Sequence, residues 1–400
     1  MRQGKEKEMQ ALEGLKVIEV GNIIAGPWCG SLMADFGANV IKVEPPVTGD
    51  IIRGMGKFKD LWYAVEGRNK RNITLNLKEP EGKEILWKLI EDADVLINNF
   101  RPGAFDRLGF TWEALHKRNP RLIFAVASGF GTTGPYASRP GFDRMGLALG
   151  GFLEVTGYPD TPPVKPGIST ADFYTALFAC SAVMFAVYSR DINGTGEGQM
   201  IDCALTESVL RLQESILPEY CIDGSIRTRI GNGTTVTVPS GHFLTKDGKY
   251  LAVSISGDKL YREIMTRIGR KDLAEAEIYQ DGAQRTAHRE ELNGIVADWA
   301  KQHDIDECMK ILGEDMPVCR IYNVADIMKD PQFAYRNDIV DVETAQYGTV
   351  KMQNVVPKMS GTPGEIKWAG QPLGKFNDEI YAELGYSKAE IEDLTKRGII

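Results

Sequence analysis

At 400 residues the chain is too long for one small core, and roughly 150 residues per domain suggests two or three domains. Its composition, 43% apolar and 26% charged, excludes a fibrous or wholly disordered protein. The 47 basic residues against 55 acidic ones give a net charge of −8 without a compact basic patch, which argues against a nucleic-acid partner. Cysteines at 29, 180, 203, 221, 308 and 319 are too scattered for a disulfide scaffold. They fit a reducing cytosol, so a cytoplasmic location is expected. Residues 1–14 are charged and lack the apolar core of a signal peptide.

The first predicted strand is Leu15–Val20, followed by the loop Gly21–Pro27 and a helix over Trp28–Phe36. Asn39–Glu44 is the next strand, stopped by Pro45-Pro46. This is a βαβ unit, and it implies parallel strands with a right-handed crossover. The alternation continues with a strand at Ile73–Leu77, an amphipathic helix at Glu81–Asp92 and a strand at Val95–Ile97. A helix at Trp112–Arg118 and a strand at Leu122–Ala127 follow. Such alternation indicates an open α/β sheet. Phe173–Ser189 is the longest uncharged run, 17 residues, short of the roughly 20 that span a bilayer. It reads as a buried helix, and no membrane partner is expected.

After about residue 225 the pattern changes. Phe243–Lys246, Asp247-Gly248 and Lys249–Ser256 read as a hairpin closed by a type I′ turn. Helical patterns follow at Asp258–Ile268, Arg289–Gln302 and Ile305–Leu312. The predicted organisation is a large Rossmann-like domain beginning with residues 1–225, a small α+β domain at 226–325, and a return segment, 326–400, completing the large domain. The return segment reads as connectors plus a terminal helix at Lys388–Lys396.

Glu44 ends the second strand where a ribose-binding acid would sit in a dinucleotide fold. The first loop, Gly21-Asn-Ile-Ile-Ala-Gly-Pro27, lacks the G-x-G-x-x-G spacing that lets backbone approach a pyrophosphate. Pro27 fits the first position of a helix. His116, His242, His288 and His303 have no partners at metal-ligand spacing, and no metal site is expected. No G-x-S-x-G elbow is present. Asp172 admits two readings. Ser169 and Asp172 can form a capping box at a helix start. The same carboxylate, held ionised by the helix dipole in a water-excluding site, can act as a nucleophile.

Further pieces carry a resemblance. They are Ala25-Gly-Pro27, Phe36–Glu44, Asn69-Lys-Arg71, Asn99–Gly109, Gly141-Phe-Asp143, the Asp172 helix, Thr195–Gln199, Asp330-Pro-Gln332 and Leu384-Gly-Tyr386. In this order and spacing they resemble the family III CoA-transferases, typified by formyl-CoA, carnitine and bile-acid CoA-transferases. The resemblance implies a Rossmann-like large domain plus a small domain, in an interlocked homodimer. It implies exchange of CoA between an acyl-CoA and a small carboxylic acid, with CoA as substrate rather than a bound cofactor. The family's catalytic aspartate falls on Asp172, which would form an aspartyl anhydride and then an aspartyl-CoA thioester. The implied CoA-contacting positions are Ile24, Ala25, Leu75, Lys78, Asn99, Phe100, Arg101, Arg107, Phe142 and Asp143. Asp143 is expected to help position the acyl chain.

Departures from the formyl-CoA transferases are a short Gly231-Asn-Gly233 in place of a longer glycine loop, Ile24 in place of a glutamine, and Pro45 in place of an arginine. The short loop argues against oxalate and formate, leaving a medium-sized or hydroxylated acid as the expected substrate, and Pro45 argues against a CoA contact at that position. The α-methylacyl-CoA racemases share much of this sequence and are the alternative. They carry a histidine where this chain has Phe142, and a phenyl ring cannot carry a proton.

Overall fold

The computed structural model describes residues 9–234 and 236–400. The charged start of the chain thus falls largely outside the described residues.

Six parallel strands form the main sheet: β1 (Lys16–Glu19), β2 (Asn39–Glu44), β3 (Arg71–Thr74), β4 (Val95–Asn98), β5 (Ile123–Ser128) and β6 (Met200–Ala204). Their order is β3-β2-β1-β4-β5-β6. The chain order reverses between β1 and β4, which opens a crevice at the carboxyl ends of those two strands. Strand β3 begins two residues before the predicted one and ends three residues before it. Glycine-rich Thr195–Gln199 feeds β6 at the sheet edge.

Side chains alternate between two buried faces, as the period of two requires. Ile18, Ile41, Leu96 and Phe124 join one core with Ile85 and Leu89. Val17, Val40, Val95 and Ile123 join the other with Met33, Ala176, Ala179 and Val183. Helix α1 (Pro27–Asp35) opens on Pro27 and connects β1 to β2. Short α2 (Leu61–Glu66) precedes β3. Helix α3 (Pro80–Glu91) covers one face. Next come α4 (Ala104–Arg107), α5 (Trp112–Arg118), α6 (Asp143–Leu149), α7 (Thr170–Asp191), α8 (Leu205–Arg211) and α9 (Ile216–Asp223).

Helix α7 is long and apolar enough to cross a membrane by length and composition. It is not buried all round, as the sequence suggested. Its alanines lie on the sheet, where small side chains allow close approach. Leu177, Phe178, Phe185 and Tyr188 are exposed on the other side.

The chain divides into two compact units, residues 1–152, 165–224 and 334–400 in one, and 153–164 and 225–333 in the other. The second unit therefore takes Leu153–Val164 and runs past residue 325. It holds an antiparallel sheet of β7 (Ser240–Leu244), β8 (Tyr250–Ser254) and β9 (Val318–Arg320). Helices over Asp258–Arg267, Arg289–Ala300 and Ile305–Leu312 pack Tyr261, Ile264, Leu292, Val296 and Cys308 around that sheet. The turn between β7 and β8 is not type I′. Only Gly248 has a positive φ, +76°, and Gly248 N–H donates to Thr245 O. A single left-handed glycine suits a longer hairpin loop.

The returning segment is not merely connectors. Strands β10 (Ile339–Thr344) and β11 (Gly348–Gln353) pair as a hairpin whose Val342 and Met352 pack on Ala64 and Ala369. Helices Asn377–Glu383 and Lys388–Lys396 place Ile380, Tyr381, Ile391 and Leu394 in the main core.

Candidate active site

Three loops at the carboxyl ends of the strands build the site. Gly21–Gly26 follows β1, residues 99–103 follow β4, and residues 129–142 follow β5. Asn99 ties the first two together. Its Oδ1 accepts from Asn22 N–H at 2.8 Å and its Nδ2 donates to Asn22 O at 2.7 Å. Gly21 makes room for that amide, since a Cβ there would lie 2.8 Å from Asn99 Oδ1. Gly129 and Gly141 meet across the third loop, where a Cβ on Gly129 would sit 2.7 Å from Gly141 Cα. Only paired glycines permit that approach.

A cavity of about 180 Å³ lies among these loops, lined in part by Asn22, Ile24, Ala25, Asn99, Phe142 and Asp172. Ser128, Gly129, Gly141, Ile51 and Leu205 complete its walls with Ile23 and Ala127. A second cavity of about 240 Å³ is lined by Val20, Val43, Glu44, Pro45, Leu75, Lys78 and Phe100, among others. Asn22 borders both. The structure therefore places Ile24, Ala25, Asn99 and Phe142 beside Asp172, and Leu75, Lys78 and Phe100 at the neighbouring cavity.

Arg101, Arg107 and Asp143 line neither cavity. Arg101 and Arg107 are exposed, and among the described residues neither makes an ion pair. Asp143 is buried. Its Oδ1 accepts from Ala171 N–H at 2.8 Å, and its Oδ2 lies 3.3 Å from Lys165 Nζ. Asp143 thus caps α7 from outside, and Ser169 makes no side-chain cap. No capping box forms with Asp172. Gly231-Asn-Gly233 lies in the second unit, with Gly231 N–H donating to Gly157 O and Asn232 Nδ2 to Tyr158 Oη.

Glu44 is not available to a ribose. Arg53 takes both its oxygens at 2.7 Å, and Tyr63 Oη and Asp50 N–H donate to them too.

Asp172 opens α7 half-buried, with no hydrogen bond to it among the described residues. Burial, and then the carboxylate of Asp143, push its carboxyl up from 3.8 to about 7, with Lys165 opposing. Desolvation and like charge outweigh the helix dipole, which the sequence reading had holding this group ionised. A raised folded-state value means the folded chain holds the extra proton between pH 4 and 7. Stability from this group therefore declines across that window, and the penalty is full above it. Asp172→Asn is expected to stabilise the fold by about 2 kcal/mol at pH 8, after allowance for partial solvent exposure. The gain vanishes at pH 4, as urea midpoints at the two pH values will show.

An open parallel sheet with a cavity at its switch point is the arrangement in which α/β enzymes take ligands at the strand ends. The family model for CoA-transferase family III matches residues 12–376, and the chain belongs to that family. It is an acyl-CoA:carboxylate CoA-transferase, moving CoA between acyl-CoA thioesters and carboxylic acids. The succinyl-CoA–D-citramalate CoA-transferase of Chloroflexus aurantiacus is 38% identical over 401 residues, covering 99% of each chain. The beta subunit of succinyl-CoA–L-malate CoA-transferase from the same organism is 40% identical over 398 residues, 97% of this chain and 98% of that one. A solved CAIB/BAIF family protein from Brucella suis superposes with a TM-score of 0.84 at 33% identity, covering 94% of this chain and 99% of that one.

Sequence reasoning missed Asn22, Ile51, Ser128 and Leu205. The only available signal was position, since Asn22 and Ser128 stand at the carboxyl ends of predicted strands.

Proposed function

We propose that Asp172 is the nucleophile of a CoA exchange that passes through covalent intermediates. Its carboxylate attacks the donor thioester carbonyl and expels CoA thiolate, leaving a mixed anhydride. The thiolate then attacks the Asp172 carbonyl, releases the donor carboxylate and forms an aspartyl-CoA thioester. The acceptor carboxylate attacks that thioester and again frees the thiolate. Attack of the thiolate on the acceptor acyl group yields the new acyl-CoA and restores Asp172. One thioester replaces another, so the exchange needs no ATP.

The observation that carries this reading is the place of Asp172, in a switch-point cavity and free of hydrogen bonds among the described residues. Ile24 and Ala25 line the same cavity, and their amide groups have no protein acceptor among the described residues. Such donors suit the oxyanion of each tetrahedral intermediate. Leu75, Lys78 and Phe100 give the neighbouring cavity apolar walls and one cation, which suits the nucleotide end of CoA. Arg101 and Arg107, both exposed, can meet phosphates at its mouth.

The donor proposed is succinyl-CoA, and the acceptor a four- or five-carbon hydroxylated dicarboxylate. The names of the citramalate and malate relatives support this choice. The proposed assembly is a cytoplasmic homodimer. Exposed Phe185 and Tyr188 on α7, and α9, which buries no residue of its own, supply an apolar surface for a second copy. Native mass spectrometry should find two 44.3 kDa chains. The racemase alternative is disfavoured by Phe142, which borders Asp172 and carries no proton.

Mass spectrometry of the protein incubated with succinyl-CoA, without acceptor, tests the mechanism. A CoA adduct on the peptide containing Asp172 is the expected result. An unmodified peptide in that acceptor-free incubation, from protein that exchanges CoA once acceptor is added, would refute the covalent route.

A further inference from the structure

Behind the first loop lies a fully buried charge cluster that touches neither cavity. Lys42 on β2 and Asp50 are each about 1% exposed. Lys42 Nζ donates to Gly21 O at 2.5 Å and to Asp50 Oδ2 at 2.7 Å, and lies 2.8 Å from Glu19 Oε1. Asp50 Oδ1 accepts from Ile23 N–H at 2.9 Å and from Ile52 N–H at 3.0 Å. The pair thus holds the loop on both sides of Asn22. Asp50 also anchors the turn carrying Ile51, which lines the Asp172 cavity. Lys70, on the far side of Glu19, donates to Pro27 O at 2.7 Å, where the loop becomes α1.

Ile23 shows why such a hold is required. Its φ is +64°, in the left-handed region. A β-branched residue is a true outlier there, and the conformation persists only where its surroundings over-determine it. The next two residues, Ile24 and Ala25, carry amides at the cavity wall that have no acceptor among the described residues. A Lys–Asp pair that served only to join β2 to the following turn would have no reason to bind loop backbone at both Gly21 and Ile23.

We infer that Lys42 and Asp50 are positioning residues for the reaction, acting as one buried pair that fixes the strained Gly21–Ala25 loop at the Asp172 cavity. The inference rests on the reading of Asp172 as nucleophile. Burial would weaken the Lys42 ammonium, but the carboxylates of Glu19, Asp50 and Glu44 outweigh it and keep the charge in place.

The test uses the charge-balanced variant Lys42→Met/Asp50→Asn, with Asp50→Asn alone as the milder one. Exchange kinetics are measured beside amide hydrogen exchange of the peptide spanning residues 21–25. A loosened loop should lower kcat about 100-fold, as misplacement by an ångström does. The KM for acyl-CoA should stay within about threefold, because apart from Asn22 the second cavity is lined by residues outside the loop. Exchange of the loop amides should quicken at least about tenfold. Unchanged kcat, a loss confined to KM, or a lower kcat with unchanged loop exchange would each overturn the inference. If the double variant does not fold, Asp50→Asn decides by the same readouts. Asp172→Ala is run in parallel. An active Asp172→Ala protein defeats the nucleophile itself, whereas an inactive one beside a fully active Lys42→Met/Asp50→Asn protein defeats only the positioning.

Discussion

Asp172→Ala is expected to lower CoA exchange by about 10⁴-fold or more while CoA affinity stays within roughly threefold. The reason for the first part is chemical. Among the described residues no other carboxylate lines the cavity that Asp172 shares with Ile24, Ala25 and Asn99, so no such neighbour can accept the acyl group. The reason for the second is spatial. Leu75, Lys78 and Phe100 lie at a separate cavity that reaches the first through Asn22, and removing a side chain at the start of α7 leaves those walls intact. Steady-state rates together with calorimetric titration of CoA measure both. Appreciable exchange by the alanine variant would rule out the aspartyl route. A large loss of CoA affinity would mean that Asp172 binds rather than reacts.

Glu19→Ala should be among the most destabilising single substitutions in the chain. Glu19 is fully buried, and its two oxygens lie 2.8 Å from Lys42 Nζ and 2.8 Å from Lys70 Nζ. Deleting it leaves two ammonium groups in the interior. Among the described residues Lys70 would keep Pro27 O alone as a hydrogen-bond partner, and burial already holds it below the usual lysine range, with Glu19 its main support. Removing one partner from a buried ion pair typically costs about 3–5 kcal/mol, because a charge remains without compensation. Urea midpoints at pH 7 measure the loss. Glu19→Leu/Lys70→Met, which removes one charge of each sign, should lose less than Glu19→Ala. If the two variants are equally unstable, packing rather than charge governs this site.

Much of the first unit was legible along the chain. Val17-Ile18 and Val95-Leu96-Ile97 are short apolar runs, and such runs are strands of a sheet covered on both faces. Pro27 marked a helix start because its ring fixes φ and needs no donor there. The hairpin β10–β11 was missed, although Val340, Val342, Val350 and Met352 alternate with polar residues over it. Its strands are largely exposed, and a weak alternation among charged residues resembles a connector. Gly30 reads locally as a weak point in α1. Its meaning is tertiary, since a Cβ there would lie 2.3 Å from Glu19 Oε2.

The candidate site divides in the same way. Asp172 could be singled out from its place before an uncharged helix and from a family resemblance. That its carboxylate does not cap α7 could not be read, because the side chain that accepts from Ala171 N–H is Asp143, 28 residues before Ala171. The same holds for the strained loop, since nothing in Gly21–Pro27 announces that Lys42, Asp50 and Asn99 grip it.

By itself, the sequence determined the strand and helix periods, the parallel crossover, the helix start at Pro27 and the family. These depend on neighbours within about 30 residues, or on motifs read in order. Only the tertiary structure decided the burial that pushes the Asp172 carboxyl up, the hydrogen bond from Ala171 N–H to Asp143 and the support behind the first loop. Each of those depends on desolvation and on distances of 2.5–3.3 Å between groups that only the folded loops bring together, and no pattern along the chain encodes them.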